Sequence, residues 1–114
     1  MEALRSWGEE LLKEYDAIVS NMPKWEATPS IEEANAWACR VGAWLGGPFA
    51  GGDVHGGFNG WLASKEGCYG ETVPQDILSL EHELKNRYDT LEQQPKSVGD
   101  YIVARGGYRG MPCP

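Results

Sequence analysis

Apolar side chains recur along three stretches of this chain at steps of three and four residues, the repeat of one helix face. Pro23 ends the first stretch, and Pro74 precedes the third, where it suits the first turn of a helix. Ser30 and Glu33 form a capping box before the second. We therefore predict three long helices. Their stripes are Leu4, Trp7, Leu11, Tyr15, Ile18 and Met22; Ile31, Ala34, Ala38, Val41 and Leu45; and Ile77, Leu80, Leu84, Tyr88 and Leu91.

Two shorter helices complete the predicted fold. One lies around Trp61, and the other is capped by Ser97 and Asp100, although its stretch YIVA is also compatible with a strand. We expect residues 105–114 to form a mobile tail. The prediction is a single all-α, protein-binding domain, residues 1–114, of three long and two short helices with a glycine-rich connector.

The connector, GGPFAGGDVHGGFNG at 46–60, has three competing interpretations. A phosphate-binding loop requires G-x-G-x-x-G after a strand, or Gly-Lys-Ser/Thr, and neither is present. A catalytic loop would use Asp53 and His55, but glycines hold this pair in no fixed geometry and no nucleophile stands beside it. A zinc site at His82 lacks the second histidine of HExxH, because Asn86 occupies that position. We favour a pliable connector, and hence predict no enzyme, no metal and no cofactor.

The charge of the chain is unevenly distributed around a net value of −7. Residues 1–33 carry eight acidic and three basic side chains, whereas residues 34–70 carry two of each. This balance argues against direct nucleic-acid binding and against binding to anionic membranes, which both require clustered Lys and Arg. A protein partner with a basic or neutral surface is the better expectation.

The three cysteines, Cys39, Cys68 and Cys113, are far apart and show no CxxC spacing. The N-terminal stretch MEALRSWGEE lacks the features of a signal peptide, and no apolar run is long enough for a membrane span. These observations predict a cytoplasmic protein whose thiols are reduced.

Five tryptophans are many for 114 residues, and tryptophan is enriched at protein interfaces. Trp37 and Trp44, two helical turns apart, lie beside the apolar stripe of the second helix, and we predict Trp44 above all as an interface anchor. The row Ala34, Ala38 and Gly42 would allow close helix contact and motivates a homodimer. The predicted partner-binding residues are Trp37, Val41, Trp44, Leu45, Phe49, Phe58 and Trp61.

The whole-chain length, acidic balance and helical layout, around the stretch EEANAWACRVGAWLGG at 32–47, resemble the small bacterial antiactivator proteins. That family binds quorum-sensing transcription regulators and breaks up their dimers. The resemblance rests on no signature motif, so it assigns no role to a numbered residue. It implies a cytoplasmic inhibitor that occupies the dimerisation surface of its partner.

The residues themselves point to a stoichiometric protein-binding inhibitor that masks a partner surface. A rival function is an acidic nucleic-acid mimic, such as an anti-CRISPR or anti-restriction inhibitor, although ten basic residues dilute its charge. A toxin-neutralising immunity protein would also act by binding and masking a protein partner. The sequence does not distinguish this function from that of the stoichiometric inhibitor.

Overall fold

A computed structural model describes residues 2–49, 58, 60, 62 and 72–114, with backbone alone at Pro48 and Phe49. The chain is all-α. The described part contains α1 (Glu2–Ser20), α2 (Ile31–Trp44), α3 (Gln75–Leu91) and α4 (Gln94–Ala104). A 3-10 turn, Trp25–Ala27, joins α1 to α2, and a π-helical turn, Leu45–Phe49, follows α2. No β-strand occurs in these residues.

Helices α1 and α3 pack side by side and run in the same direction. Near their starts the Nε of Arg5 donates to the Oδ2 of Asp76 across 2.6 Å. Nearer their ends the Arg87 guanidinium lies 5.5 Å from the centre of the Tyr15 ring. The two pairs have nearly the same sequence offset, as parallel helices require. Gly8 is buried where they approach each other, and a Cβ built on it would lie 3.2 Å from Leu80.

Helix α2 is the central helix and runs antiparallel to α1. The Trp37 indole donates to the Ile18 carbonyl oxygen at 2.8 Å, and the Trp44 indole to that of Leu11 at 3.2 Å. On its other side α2 packs against α4. Helix α2 therefore contacts both α1 and α4.

Helix α4 begins earlier than the sequence predicts. It starts at Gln94 with Pro95 in its first turn, where proline loses no helical hydrogen bond. Ser97 is therefore inside the helix, where its Oγ donates to the Gln93 carbonyl oxygen, and it is not the N-cap. YIVA at 101–104 is helical, which rules out the strand alternative. The capping prediction for α2 is confirmed, because Ser30 Oγ accepts from the Glu33 N–H at 3.1 Å.

The C-terminal end of α4 is a Schellman motif. Gly106, at φ 88°, donates its N–H to the carbonyl oxygen of Val103, and Gly107 donates to that of Ile102. A Cβ on Gly107 would lie 2.5 Å from Ile102 Cγ2, so any larger residue at this position would have to displace the Ile102 side chain. The two glycines direct the following residues back along α2 and α4.

Residues 105–114 are docked, where we expected a mobile tail. Met111 packs against the core, the Asn35 amide donates to the Pro112 carbonyl oxygen at 2.9 Å, and Arg109 pairs with Asp100. Cys113 forms a disulfide with Cys39 of α2, with 5.8 Å between their Cα atoms. The prediction of reduced thiols is therefore wrong for this pair, because a chain reversal at Gly106 brings together cysteines 74 residues apart.

The glycine-rich connector falls mostly outside the described residues. Its first residues, Gly46 and Gly47, belong to the π-helical turn after α2. Phe58 and Leu62 are helical and fully buried, which agrees with an apolar contact between this region and the core. Asp53, Val54, His55 and Trp61 lie outside the described part.

Candidate protein-binding surface

The two tryptophans predicted as interface anchors on α2 are core residues. Trp37 and Trp44 are each 3% exposed, and each indole N–H has a backbone partner on α1. A buried indole needs such a partner, and both rings have one without help from a second molecule. The assignment of Trp44 as an exposed anchor is therefore corrected: the face that carries it packs against α1.

The remaining predicted partner-binding residues are not exposed together either. Val41 and Phe58 are fully buried, and Leu45 is half-buried against the core. The Phe49 side chain and Trp61 lie outside the described residues. The Phe58 ring packs on Trp7 of α1 in a T-shaped arrangement, with 5.9 Å between ring centres. No shared surface of the predicted residues is thus visible in the described part of the chain.

The row of small residues is used inside the molecule and does not form a free helix face. Ala34 is fully buried, and Ala38 lines a groove with Val98 and Ile102 of α4. Gly42 is exposed, with open space around the position of a Cβ. The close approach expected of a second subunit is made by α4 and the C-terminal residues instead.

A different aromatic site lies between the 3-10 turn and α4. Trp25 and Tyr101 are both half-buried, with 5.2 Å between their ring centres, and they border a groove of about 310 Å³. Trp25 also forms a T-shaped pair with Trp37 of the core, with 6.0 Å between ring centres. We call this site the aromatic groove; its lining is Trp25, Gln94, Ser97, Val98 and Tyr101.

Three further interactions fix the walls of the aromatic groove. The Tyr101 hydroxyl donates to the Pro29 carbonyl oxygen at 2.6 Å, tying α4 to the start of α2. The Arg105 guanidinium lies 3.7 Å from the centre of the Tyr101 ring, a cation–π contact. Thr28 sits at φ 54°, ψ 64°, a costly conformation for a β-branched residue, and donates its N–H to Trp25. The groove is therefore preformed, with a strained residue in its supporting turn.

Titratable groups show no catalytic arrangement within the described residues. The side chains there include no group of three metal-binding residues, and His82 is exposed on α3. Partial burial, aided by the charge of Glu10, raises the pKa of Glu14. The hydrogen bond from Arg5 lowers the pKa of the Asp76 carboxyl. Both effects belong to helix surfaces at a distance in sequence from the aromatic groove.

The aromatic groove was not predicted from the sequence. One signal was available: Trp25 follows Pro23 and Lys24 outside every apolar stripe, so no helix face claims it. Tyr101 has no such signal in the sequence. Its partners Trp25 and Pro29 are distant along the chain, and only the fold brings them next to α4.

Comparison with protein-family models, with curated proteins and with solved structures gives no match for this chain. None of the helices in residues 2–49 and 72–114 is both long and apolar enough to cross a membrane.

Proposed function

We propose that this protein is a stoichiometric protein-binding inhibitor and that the aromatic groove is the surface with which it masks its partner. The observation that carries the proposal is the position of Trp25: it stays half-exposed at a groove of about 310 Å³, whereas Trp37 and Trp44 are buried. Trp and Tyr supply most of the binding energy at many protein interfaces, because they bury a large area with little loss of side-chain entropy.

The groove has the mixed character of a protein-binding site. Its walls are aromatic, Val98 forms an apolar contact, and Gln94 and Ser97 place amide and hydroxyl groups at its border. Such a site fits an apolar side chain of a partner, with its backbone within reach of the polar border. The preformed walls reduce the ordering cost of binding.

The resemblance around residues 32–47 makes the dimerisation surface of a quorum-sensing transcription regulator the first target to test. A cytoplasmic site of action is part of this proposal. So is self-association, although the row Ala34, Ala38 and Gly42 no longer supports it, because Ala34 is buried within one chain.

A pair of matched lysine substitutions on α4 tests the groove. Ser97 is exposed at the groove, so Ser97→Lys should obstruct it without altering the core. Val103 is 45% exposed on the same helix but does not line the groove, so Val103→Lys is the control. The partner is first captured with the wild-type chain from the host cells, identified by mass spectrometry and purified. Binding of both variants is then measured by calorimetry, and complex size by sedimentation.

We expect Ser97→Lys to weaken binding at least tenfold, about 1.4 kcal/mol, and Val103→Lys to leave it unchanged. Sedimentation should show the partner's own dimer replaced by a complex of fixed stoichiometry. Equal affinities for wild type and Ser97→Lys would exclude the groove. Retention of the partner dimer in the complex would exclude masking of its dimerisation surface. A steep loss of affinity between low and high salt would favour the acidic mimic instead.

A further inference from the structure

The C-terminal residues border a second groove, on a face of α4 next to the aromatic groove, and Val98 lines both. This α2–α4 groove is about 170 Å³, and Tyr108, Arg109, Gly110 and Met111 form one of its sides. The opposite sides come from Asn35 and Ala38 of α2 and from Pro95, Val98, Gly99 and Ile102 of α4. The tail therefore covers the apolar seam along which the two helices meet.

The tail is held there by one covalent link and several weak contacts. Arg109 and Asp100 are both exposed, at 56% and 60% of their side chains, so their ion pair is worth little. The Asn35–Pro112 hydrogen bond is also at an exposed site. The Cys39–Cys113 disulfide joins the end of the tail to the middle of α2. Cys113 is exposed and Cys39 half-buried, so a reductant reaches the bond from the Cys113 side.

We propose that this disulfide is a redox-operated latch that holds the tail over the α2–α4 groove and releases it on reduction. The reductant is a dithiol. Its thiolate attacks the Cys113 sulfur, the bond to Cys39 breaks, and the Cys39 thiolate leaves and takes up a proton. The second thiol of the reductant then forms its own disulfide and releases Cys113 as a thiol. Two electrons and two protons pass from the dithiol to the cysteine pair.

Release is confined to the tail because the fold ahead of it is secured independently. The Schellman motif closes α4 at Gly106 and Gly107, so the helix ends before the released segment. The contacts of α2 with α1 and α4 do not pass through residues 108–114; Trp37 and Trp44, for instance, bond to α1. Reduction therefore exposes Ala38 and its neighbours at the seam without removing a helix. This inference does not depend on the function proposed for the aromatic groove.

Limited proteolysis of the full-length chain tests the latch, with Cys68→Ser as background so that one cysteine pair remains. Trypsin cuts after Arg109 inside the tail and after Lys13 and Lys85 inside α1 and α3, which serve as internal controls. Cleavage rates are followed by mass spectrometry for the oxidised protein and for the protein in dithiothreitol. Cys113→Ser without reductant is the matched variant, and circular dichroism monitors helix content in every sample.

We expect reduction to accelerate cleavage after Arg109 at least tenfold more than cleavage after Lys13 and Lys85, which still requires α1 or α3 to open. Cys113→Ser should reproduce the reduced pattern, and reoxidation of the background protein should restore slow cleavage. An unchanged rate after Arg109 would show that weak contacts alone hold the tail and would overturn the proposal. Equal acceleration at all three sites would make the disulfide a staple of the whole fold, which also overturns it. The proposal would also be overturned if the background protein did not form the Cys39–Cys113 disulfide in oxidised glutathione.

Discussion

The indole N–H of Trp44 on α2 donates to the carbonyl oxygen of Leu11 on α1, 3.2 Å away. The same side chain also contacts Tyr15, with 5.9 Å between ring centres. One residue therefore ties the C-terminal end of α2 to the middle of α1, by a hydrogen bond and by aromatic packing.

Trp44→Ala should destabilise the fold by about 3–5 kcal/mol, because it leaves a large cavity and removes the hydrogen bond to the Leu11 carbonyl oxygen. Thermal and urea melts measure the loss. Val103→Ala, at a side chain 45% exposed, is the control and should change stability by less than about 0.5 kcal/mol. A Trp44→Ala protein that melts like wild type would contradict the core assignment.

Cys39→Ser should lower the free energy of unfolding by about 2–5 kcal/mol, because the disulfide closes a loop across 74 residues of the unfolded chain. Denaturant melts of Cys39→Ser, Cys113→Ser and the double variant form a thermodynamic cycle. The double variant should be no less stable than either single one, since the same bond is lost in all three. Additive losses would show that the two cysteines act separately.

Gly8→Val should cost about 1–3 kcal/mol, because overpacking forces α1 away from Phe58 and Leu80. A Cβ at this position already lies 3.1 Å from the Phe58 ring. Gly42→Ala is the contrasting change: apart from the backbone of α2 itself, no described residue lies within 4 Å of its Cβ position, so it should stabilise α2 by about 0.5–1 kcal/mol. Chemical denaturation of both variants measures the two opposite shifts. Equal effects would exclude the close approach of α1 and α3 at Gly8.

Thr28→Gly should raise the stability of the fold by about 1 kcal/mol, because glycine adopts φ 54° without the steric cost that a β-branched residue pays. Thr72, exposed and without positive φ, is the matched control, and Thr72→Gly should not stabilise. Thermal melts compare the two. Destabilisation by Thr28→Gly would show that the threonine side chain contributes more than its backbone strain costs.

The ion pair between Arg5 and Asp76 should make stability depend on pH in acid. Its hydrogen bond lowers the pKa of Asp76 from 3.8, so the folded state binds this proton more weakly than the unfolded state does. The stabilisation is therefore present above pH 3.8 and is lost as the pH falls through the lower, folded-state pKa. Melts of wild type and Asp76→Asn from pH 6 to pH 2 should converge at the acid end. A stability difference between the two proteins that stays constant over this pH range would exclude titration of Asp76 as the source of the difference.

The sequence predicts the all-α class of the fold because the signals for helix formation are local. The stripes of α1, α2 and α3 and the Ser30 cap depend on residues within a few positions of each other. The sequence does not predict what covers α2. Periodicity shows that Trp44 shares a face with Trp37, but it does not show whether α1 or a partner protein covers that face. The sequence does not predict the disulfide either, because the pairing depends on the chain reversal at Gly106 and on the position of α2 in the tertiary structure. The aromatic groove unites Trp25 with Tyr101, 76 residues later, for the same reason.

The parallel pairing of α1 with α3 also has a consequence for synthesis of the chain. Arg5 contacts Asp76, and Gly8 lies against Leu80. More than seventy further residues must therefore be synthesised before α3 can cover this face of α1. Until then the side of α1 around Gly8 remains exposed to water or to chaperones. The N-terminal half therefore completes its packing after translation of α3, and nascent chains that stop short of Gln75 should bind a hydrophobic dye that the finished protein excludes.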